Sequence, residues 1–175
     1  LEVNGQAGAD TIELITPAGR DQVQVFPGVT GTAGAITVHN PDTSEMLLEL
    51  GFENIDTSAG ITIDDVSGER TDDLIIHGRD LANAAEQFVV EADGSVTLEE
   101  LDDVGAANLL PVIFTPGVSD LTLVALAGDD AFEVEGPVPF DNLLVDGGGP
   151  SASDTLSYSA GGDVTFDFND AEIRD

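Results

Sequence analysis

The sequence predicts an all-β protein, organised as a β-solenoid or parallel β-helix-like repeat with one hairpin excursion. Runs of four to six aliphatic and β-branched residues recur along the chain, and each run is bounded by Gly, Pro, Asn or Asp. Helical periodicity is nearly absent. A unit made of a strand, a glycine-rich turn, an aspartate and a second strand occurs at least three times.

The strand runs are short and follow one another at a regular spacing. In the last third of the chain an aspartate stands just before each run, at intervals of 10, 11, 13 and 9 residues. Strands of about five residues separated by turns of about five produce this spacing. The predicted strands are 11–15, 22–26, 35–38, 46–50, 60–63, 74–76, 88–90, 96–98, 121–124, 131–134, 142–145, 155–158 and 164–168.

One segment departs from this pattern. Asp80 is a suitable N-cap for the sequence LANAAEQF, whose alanines favour a short helix. The competing interpretation is a strand at 88–91 that turns through Asp93-Gly94 into 96–98, since Asp-Gly is a strong hairpin signal. We expect an insertion at 79–103 that carries this antiparallel hairpin out of an otherwise parallel coil.

Internal repetition is the most informative feature of the sequence. Residues 1–14, LEVNGQAGADTIEL, align without a gap with residues 121–134, LTLVALAGDDAFEV, at a constant offset of 120. The same opening aligns with 143–158, LLVDGGGPSASDTLSY, with a loop two residues longer. We therefore expect residues 1–175 to be a single β-repeat region, slightly more than one period of a longer array, and the opening LEVNGQ to be a cut or processed start.

The glycine-rich turns contain candidate calcium ligands. Residues 5–13, GQAGADTIE, resemble the nonapeptide G-G-x-G-x-D-x-U-x of RTX-type calcium-binding β-rolls, and 125–133 and 147–156 keep parts of it. Carboxylates supply the hard oxygens that Ca²⁺ prefers. The alternative is that each aspartate is a turn or strand-entry residue that accepts backbone N–H bonds. The resemblance implies a Ca²⁺ cofactor held by Asp10, Asp129, Asp130, Asp146 and Asp154.

A second acidic segment, 64–73, has the composition of an ion-binding loop without EF-hand spacing, and we expect it to be a solvated loop. Arg20, Arg70 and Arg79 are expected to pair with local aspartates. His39 and His77 each end a strand-like run, and a turn-capping or partly exposed histidine is preferred over a base or metal ligand.

Charge and composition exclude several classes of partner. The chain has 35 Asp and Glu against 4 Lys and Arg, a formal net charge of −31. Such a surface repels phosphate backbones and anionic membranes, so nucleic acid is excluded as a partner. The uncharged stretch 104–119 is interrupted by Pro111 and Pro116 and falls short of the about 20 apolar residues of a spanning helix, so we expect no membrane insertion. Cysteine is absent, which removes disulfide and thiolate-metal frameworks.

The core is predicted from apolar residues within the runs. These residues are Ile12, Val23, Ile36, Leu48, Ile61, Ile75, Leu123, Phe132, Leu144, Leu156 and Phe166. No G-x-S-x-G, H-E-x-x-H, P-loop or dinucleotide-binding motif is present in the sequence. We therefore expect no enzymatic activity.

The segments LTLVALAGDDAFEVEG and LLVDGGGPSASDTLSYS are similar to tandem segments of very large secreted or surface-anchored bacterial proteins. This resemblance implies an extracellular or cell-surface structural module of a fibre, filament or adhesin. Its partners would be copies of itself, neighbouring repeats of the same chain and divalent cations. Two alternatives stay open: a secreted carbohydrate-active β-helix enzyme and a β-sandwich ligand-binding domain.

Overall fold

The computed structural model describes residues 1–58, 60–79, 85–101, 107–149 and 154–159. These residues form two mixed β-sheets that do not close into a barrel, and they contain no helix. The all-β prediction is therefore confirmed. The strands are β1 Glu2–Asn4, β2 Ile12–Thr16, β3 Gln22–Pro27, β4 Gly34–His39, β5 Met46–Glu53, β6 Ile61–Asp65, β7 Asp72–His77, β8 Ala85–Val90, β9 Val96–Leu101, β10 Ala107–Asn108, β11 Ile113–Phe114, β12 Val118–Val124, β13 Ala131–Glu135, β14 Asn142–Asp146 and β15 Thr155–Ser159.

Parallel pairing dominates both sheets. Sheet A has the strand order β1-β5-β4-β3-β7-β12-β14, and sheet B has the order β15-β13-β8-β9-β11-β6-β2, with β10 beside β9. Every antiparallel pair between described strands includes β4 or β9. The predicted hairpin is confirmed as β8 and β9. A second antiparallel excursion, β3-β4-β5, was not predicted from the sequence.

The last part of the chain alternates between the sheets. It passes from β12 in sheet A to β13 in sheet B, returns to β14 in sheet A and enters sheet B again as β15. Leu121 pairs with Leu143 across β12 and β14, and Phe132 pairs with Leu156 across β13 and β15. The two units that were aligned by sequence, 121–134 and 143–158, therefore lie in register as adjacent layers.

The short helix predicted to follow Asp80 is wrong where the structure describes it. Residues 85–88 lie in β8, and 80–84 lie outside the described residues. Burial in β8 alternates with a period of two, which places Glu86, Phe88 and Val90 on the inner face. Tertiary packing on this face overrides the helix preference of the alanines. The predicted strand 164–168 also lies outside the described residues.

The core lies between the inner faces of the two sheets. Most of the predicted core positions are buried, and the rings of Phe88 and Phe132 stack there at 5.1 Å between centroids. The exceptions are Leu144 and Leu156, which are 60% and 50% exposed, and Leu48 and Ile75, which are half-buried. Ile75 points to the outer face of β7. For Ile75 and Leu144 the reason is that every residue of the runs LII and LLV is apolar, so the sequence does not show which ones face inward. Leu156 is the register partner of the buried Phe132, so its exposure has another cause. Phe166 lies outside the described residues.

Candidate functional site

Three glycine-rich corners share one backbone conformation. Gln6, Leu126 and Gly148 occupy equivalent positions in the aligned units, and their φ angles are 61°, 74° and 72°. The N–H of Gln6 donates to Asn4 Oδ1 at 3.0 Å, and the N–H of Gly148 donates to Asp146 Oδ1 at 2.9 Å. The sequence repeat is thus also a repeat of dihedral angle and, in two corners, of side-chain capping.

Adjacent corners hold each other through their main chains. The N–H of Gly149 donates to the carbonyl of Leu126 at 3.0 Å, and the N–H of Ala125 donates to the carbonyl of Asp146 at 2.9 Å. A Cβ at Gly148 would collide with the Leu126 carbonyl. Glycine is required at this position for two reasons. Its φ angle is left-handed, and the main chain of the adjacent layer lies too close to leave room for a Cβ.

Acidic side chains connect the layers at the entry to sheet B. Glu86 lies on β8, and Asp130 and Asp154 directly precede β13 and β15, so each of the three stands one residue before the first register partners Gln87, Ala131 and Thr155. The N–H of Glu86 donates to Asp130 Oδ1 at 2.9 Å, and the N–H of Asp130 donates to Asp154 Oδ1 at 3.0 Å. We call these three residues the acidic ladder. Asp130 and Asp154 thus have the strand-entry role that the sequence left as an alternative to calcium.

Two members of the acidic ladder, Glu86 and Asp130, are buried, and their charges are compensated to different degrees. Burial raises the pKa of Asp130, which is 1% exposed, and the charges of Asp154 and Asp129 raise it further. Among the described residues, no group donates a hydrogen bond to Asp130 Oδ2. Burial also raises the pKa of Glu86, although Arg79 opposes this rise through a contact of 3.0 Å between Nε and Oε1.

The five predicted calcium ligands do not meet at one place. Asp129, Asp130 and Asp154 share the corner around the acidic ladder, and the exposed Asp146 caps the turn at Gly148. Asp10 precedes β2, at the opposite end of sheet B. Within the described part of the chain, no three His, Cys, Asp or Glu residues are placed to hold one metal ion. The orphaned Asp130 oxygen alone does not make a Ca²⁺ shell, so calcium binding stays a prediction.

A second buried acidic cluster lies at the ends of β6 and β7, so the expectation of a solvated loop at 64–73 is wrong for Asp65 and Asp72, whereas residues 66–70 between them are exposed as expected. Asp21, Asp65 and Asp72 are 5%, 3% and 0% exposed. Asp72 Oδ1 accepts the N–H of Asp21 at 3.0 Å, and its Oδ2 lies 2.5 Å from Thr16 Oγ1. Asp65 accepts bonds from the hydroxyl and the N–H of Ser67. These bonds tie β2, β3, β6 and β7 together where the chain enters sheet A.

The acidic cluster is under electrostatic strain. Burial raises the pKa of Asp72, hydrogen bonds from Thr16 and Asp21 oppose the rise, and the charges of Asp21 and Asp65 add to it. Burial also raises the pKa of Asp21. Asp65 differs, because the hydroxyl and N–H of Ser67 lower its pKa. For Asp21 the sequence signal is an aspartate directly before a strand run, the same signal that marks the last third of the chain. Asp65 and Asp72 do not stand directly before a predicted run.

The arginines and histidines have mainly structural partners. Arg20 contacts Asp73 at 2.8 Å, as predicted, whereas the partners of Arg79 among the described residues are Glu86 and Glu100. Arg70 donates from Nε to the carbonyl of Val118 at 2.8 Å, and so departs from the predicted aspartate pairing. The partly exposed ring of His77 stacks on Phe26 at 4.4 Å, with its pKa lowered by burial, and His39 lies 3.2 Å from Thr37 Oγ1.

No family model, curated protein or solved structure matches this chain. No helix among the described residues is long and apolar enough to cross a membrane. The function is therefore inferred from the repeated corners, the two acidic clusters and the stacking of layers.

Proposed function

We propose that this chain is a structural repeat module, a length of β-solenoid-like scaffold in an extracellular bacterial fibre, filament or surface adhesin. The observation that carries the proposal is the recurrence of one corner, with the same left-handed residue at Gln6, Leu126 and Gly148. Two of these corners stack directly on each other through main-chain hydrogen bonds. Recurrent layers that contact mainly their neighbours are typical of repeat scaffolds.

Stacking supplies the stability that such a scaffold needs. In the layer of β12 and β13, Leu121, Leu123, Phe132 and Val134 are at most 2% exposed. Each apolar side chain buried in this way contributes about 1.5 to 3 kcal/mol relative to an exposed one. The apolar column between the sheets is therefore the main stabilising element, and each layer both uses and extends it.

The acidic charge supports the extracellular setting in this proposal. A net charge of −31 on 175 residues keeps a long array soluble and discourages unspecific contact with other acidic surfaces. The same charge is screened by a salty medium, where the Debye length is about 8 Å or shorter. The similarity of 121–136 and 143–159 to segments of large secreted bacterial proteins points to the same location.

Mechanical unfolding of the single chain, held at its two ends, tests the proposal. A layered scaffold is expected to lose its layers in discrete steps. Leu121 and Leu143 are 22 residues apart, so releasing one layer adds about 75 Å of extended chain. A single all-or-none extension would contradict the proposal, because it is the behaviour of one cooperative globule.

A disulfide provides the control for these steps. Thr122 and Leu144 are register partners on the outer face of sheet A, and the wild-type chain has no cysteine. The double variant Thr122→Cys and Leu144→Cys places two cysteines at a spacing that a disulfide can bridge. Oxidation is expected to remove the step that separates these two layers, and reduction is expected to restore it.

A second candidate function is a β-sandwich ligand-binding domain. It is favoured by the antiparallel strands β3, β4 and β5 and by an apolar groove of about 190 Å³ beside them. The groove is lined by Leu14, Ile15, Thr16, Pro17, Val38, Leu47 and Leu48. Sites for drug-sized ligands usually have about 300 Å³ or more. Binding of an apolar fluorescent probe that is lost in Leu47→Asp, together with all-or-none mechanical unfolding, would favour this candidate.

A further inference from the structure

Strand β2 forms an open edge of sheet B. Among the described strands it pairs only with β6. The N–H of Ile12 and the carbonyl of Thr16 bond to main-chain groups that flank β6, at 3.2 Å and 3.1 Å. Glu13 and Ile15 lie at the alternate positions, so their N–H and C=O groups face away from β6. Such an edge favours pairing with another strand.

Asp10, at the entry to β2, has a carboxylate oxygen without a donor. Asp10 aligns with Asp130 and Asp154 of the acidic ladder. A Cβ on Gly5 would meet Asp10 Oδ2. A Cβ on Gly147 would likewise meet Asp154 Oδ2, so the two carboxylates have the same placement in their corners. Among the described residues, no group donates a hydrogen bond to the buried Oδ2 of Asp10.

The acidic ladder has one direction. Asp154 accepts the N–H of Asp130, and Asp130 accepts the N–H of Glu86, so each aspartate bonds to the strand on its β2 side. Tracing the pairings across sheet B shows that β2 runs in the same direction as β8, β13 and β15. The same pattern has Oδ1 of Asp10 accept an N–H from a parallel strand on the far side of β2.

An apolar groove of about 190 Å³ adjoins this edge. Leu14 and Ile15 of β2 line one side of the groove, and Leu47 and Leu48 of β5 line the other. Ile15 and Leu47 are 55% and 46% exposed. A strand beside β2 directs every second side chain between the two sheets, towards the groove. The volume of the groove suits single side chains better than a drug-sized ligand.

Charge favours a basic partner at this edge over a second copy of the chain. Glu13 on β2 and Glu49 on β5 are exposed, and the whole chain carries a formal net charge of −31. A second copy is repelled by this charge, whereas a basic strand is attracted by it. A lysine or arginine opposite Glu13 forms the cross-strand pair of opposite charge that stabilises a sheet.

We propose that the β2 edge binds an extended basic peptide as an additional parallel strand. The peptide backbone pairs with Glu13 and Ile15, its N–H at the strand entry bonds to Asp10, and its alternate apolar side chains enter the groove. Peptides that add to a sheet edge obtain affinity from main-chain hydrogen bonds and specificity from side-chain pockets. This binding surface goes beyond the scaffold role, because it needs one free edge and no further repeat.

A peptide titration tests the proposal. The probe is the synthetic peptide STVKLTV with blocked ends, whose serine is expected opposite Asp10, its lysine opposite Glu13 and its leucine opposite Leu14. In the isotope-labelled full chain we expect saturable changes in the amide signals of Glu13 and Ile15. Binding should weaken at about 1 M salt, where the Debye length is about 3 Å.

Two N-methylated peptides distinguish strand pairing from unspecific apolar contact. In the parallel register the N–H of the peptide leucine donates to the carbonyl of Glu13, whereas the N–H of the peptide lysine faces away from β2. N-methylation of the leucine should therefore abolish binding. N-methylation of the lysine should change the affinity by less than threefold.

Two variants of the chain locate the site. Glu13→Lys is expected to weaken binding at least tenfold, because it replaces attraction of the peptide lysine by repulsion. The matched control is Glu133→Lys, at the aligned position on β13, which lies between β8 and β15. This control makes the same change of charge away from the edge, and its affinity should stay within twofold of the wild type.

Three results of the titration would overturn the proposal: no saturable binding, equal loss with the two N-methylated peptides, or equal weakening in Glu13→Lys and Glu133→Lys. Self-association of the chain that Glu13→Lys abolishes would overturn it as well, because a second copy would then occupy the edge. Each of these results leaves the scaffold role to the mechanical experiment, since the layers within one chain do not depend on an added strand.

Discussion

The backbone N–H of Asp130 donates a 3.0 Å hydrogen bond to Oδ1 of Asp154, and this contact joins two layers that the sequence identifies as repeats. The aspartate of the later layer thus accepts the backbone N–H at the start of the sheet B strand in the preceding layer. Glu86 and Asp130 show the same relationship at 2.9 Å. The carboxylates therefore connect layers, in addition to making the surface acidic.

Removing the Asp154 carboxylate tests this connection. Asp154→Ala leaves the N–H of the buried Asp130 without its acceptor, and we expect a loss of about 1 to 3 kcal/mol in the free energy of unfolding. Asp154→Asn keeps an acceptor oxygen and should lose less. Urea denaturation of both variants measures the difference. Equal losses would show that the charge matters and the hydrogen bond does not.

Arg79 is expected to be far more important for stability than Arg20. The Arg79 side chain is 17% exposed and pairs with Glu86, which is 1% exposed. Arg79→Met leaves a buried carboxylate unpaired and should cost about 3 kcal/mol or more. Arg20→Met is the control, because that side chain is 61% exposed and a surface pair contributes about 1 kcal/mol or less. Similar melting temperatures for the two variants would contradict the burial of this ion pair.

The acidic cluster predicts that mild acid stabilises the protein. The pKa values of Asp21 and Asp72 are raised above the ordinary 3.8. The folded state thus binds these protons more tightly than the unfolded state. At pH 7 the ionised forms of Asp21 and Asp72 therefore destabilise the folded protein, and this destabilisation disappears as the pH falls through the raised pKa values towards 3.8. The lowered pKa values of Asp65 and Asp93 act below 3.8, where protonation removes a stabilising contribution. The melting temperature should therefore rise as the pH falls from neutral towards 3.8 and decline again at lower pH.

Two amide substitutions separate these opposite effects. Asp72→Asn keeps an acceptor for the N–H of Asp21 and removes a buried charge, so it should stabilise the protein at pH 7 and flatten the rise towards acid. Asp65→Asn should destabilise it at pH 7, because the pKa of Asp65 is lowered by the hydrogen bonds from Ser67. Thermal melting between pH 4 and pH 8 measures both changes. A melting temperature that rises steadily to pH 8 in the wild type would contradict the strained cluster.

The shared left-handed position gives a pair of opposite predictions. Gln6 is exposed and has a φ of 61°, so Gln6→Gly should stabilise the protein by about 1 kcal/mol. Gly148→Ala should destabilise it by more, since its Cβ would also meet the carbonyl of Leu126. Chemical denaturation measures both. A stabilising Gly148→Ala would show that the corner does not have the described conformation.

Calcium binding is tested by melting the protein in excess Ca²⁺ and in EDTA. A ligand that binds only the folded state raises its stability by mass action, by about 2.7 kcal/mol at 100 times its dissociation constant. If calcium binds at the acidic ladder, the melting temperature should rise with Ca²⁺, and Asp130→Asn should remove the rise. Identical melting curves with Ca²⁺, Mg²⁺ and EDTA would leave strand entry as the role of these aspartates.

The sequence predicted the parts of this structure that depend on local pattern. The alternating runs located the strands, and the alignment of 1–14 with 121–134 and 143–158 located corners with a common backbone. The turn at Asp93-Gly94 located the β8-β9 hairpin. These features depend on neighbouring residues and on the conformations that glycine permits.

The remaining features depend on contacts between distant segments. The antiparallel placement of β4 between β3 and β5 has no Asn-Gly or Asp-Gly turn to mark it. Burial of Asp72 requires Thr16 and Asp21 from two other strands, so a local reading of 64–73 shows only a polar loop. Leu144 lies in a run in which Leu143, Leu144 and Val145 are all apolar, so no local signal shows that Leu144 is the one that faces outward.

The repeated segments of this chain stack in parallel and in register. Nuclear Overhauser contacts in the isotope-labelled chain measure this stacking directly. We expect contacts between the ring of Phe132 and the methyl groups of Leu156, and between the side chains of Leu121 and Leu143. Absence of both sets, with antiparallel contacts between these strands in their place, would contradict it.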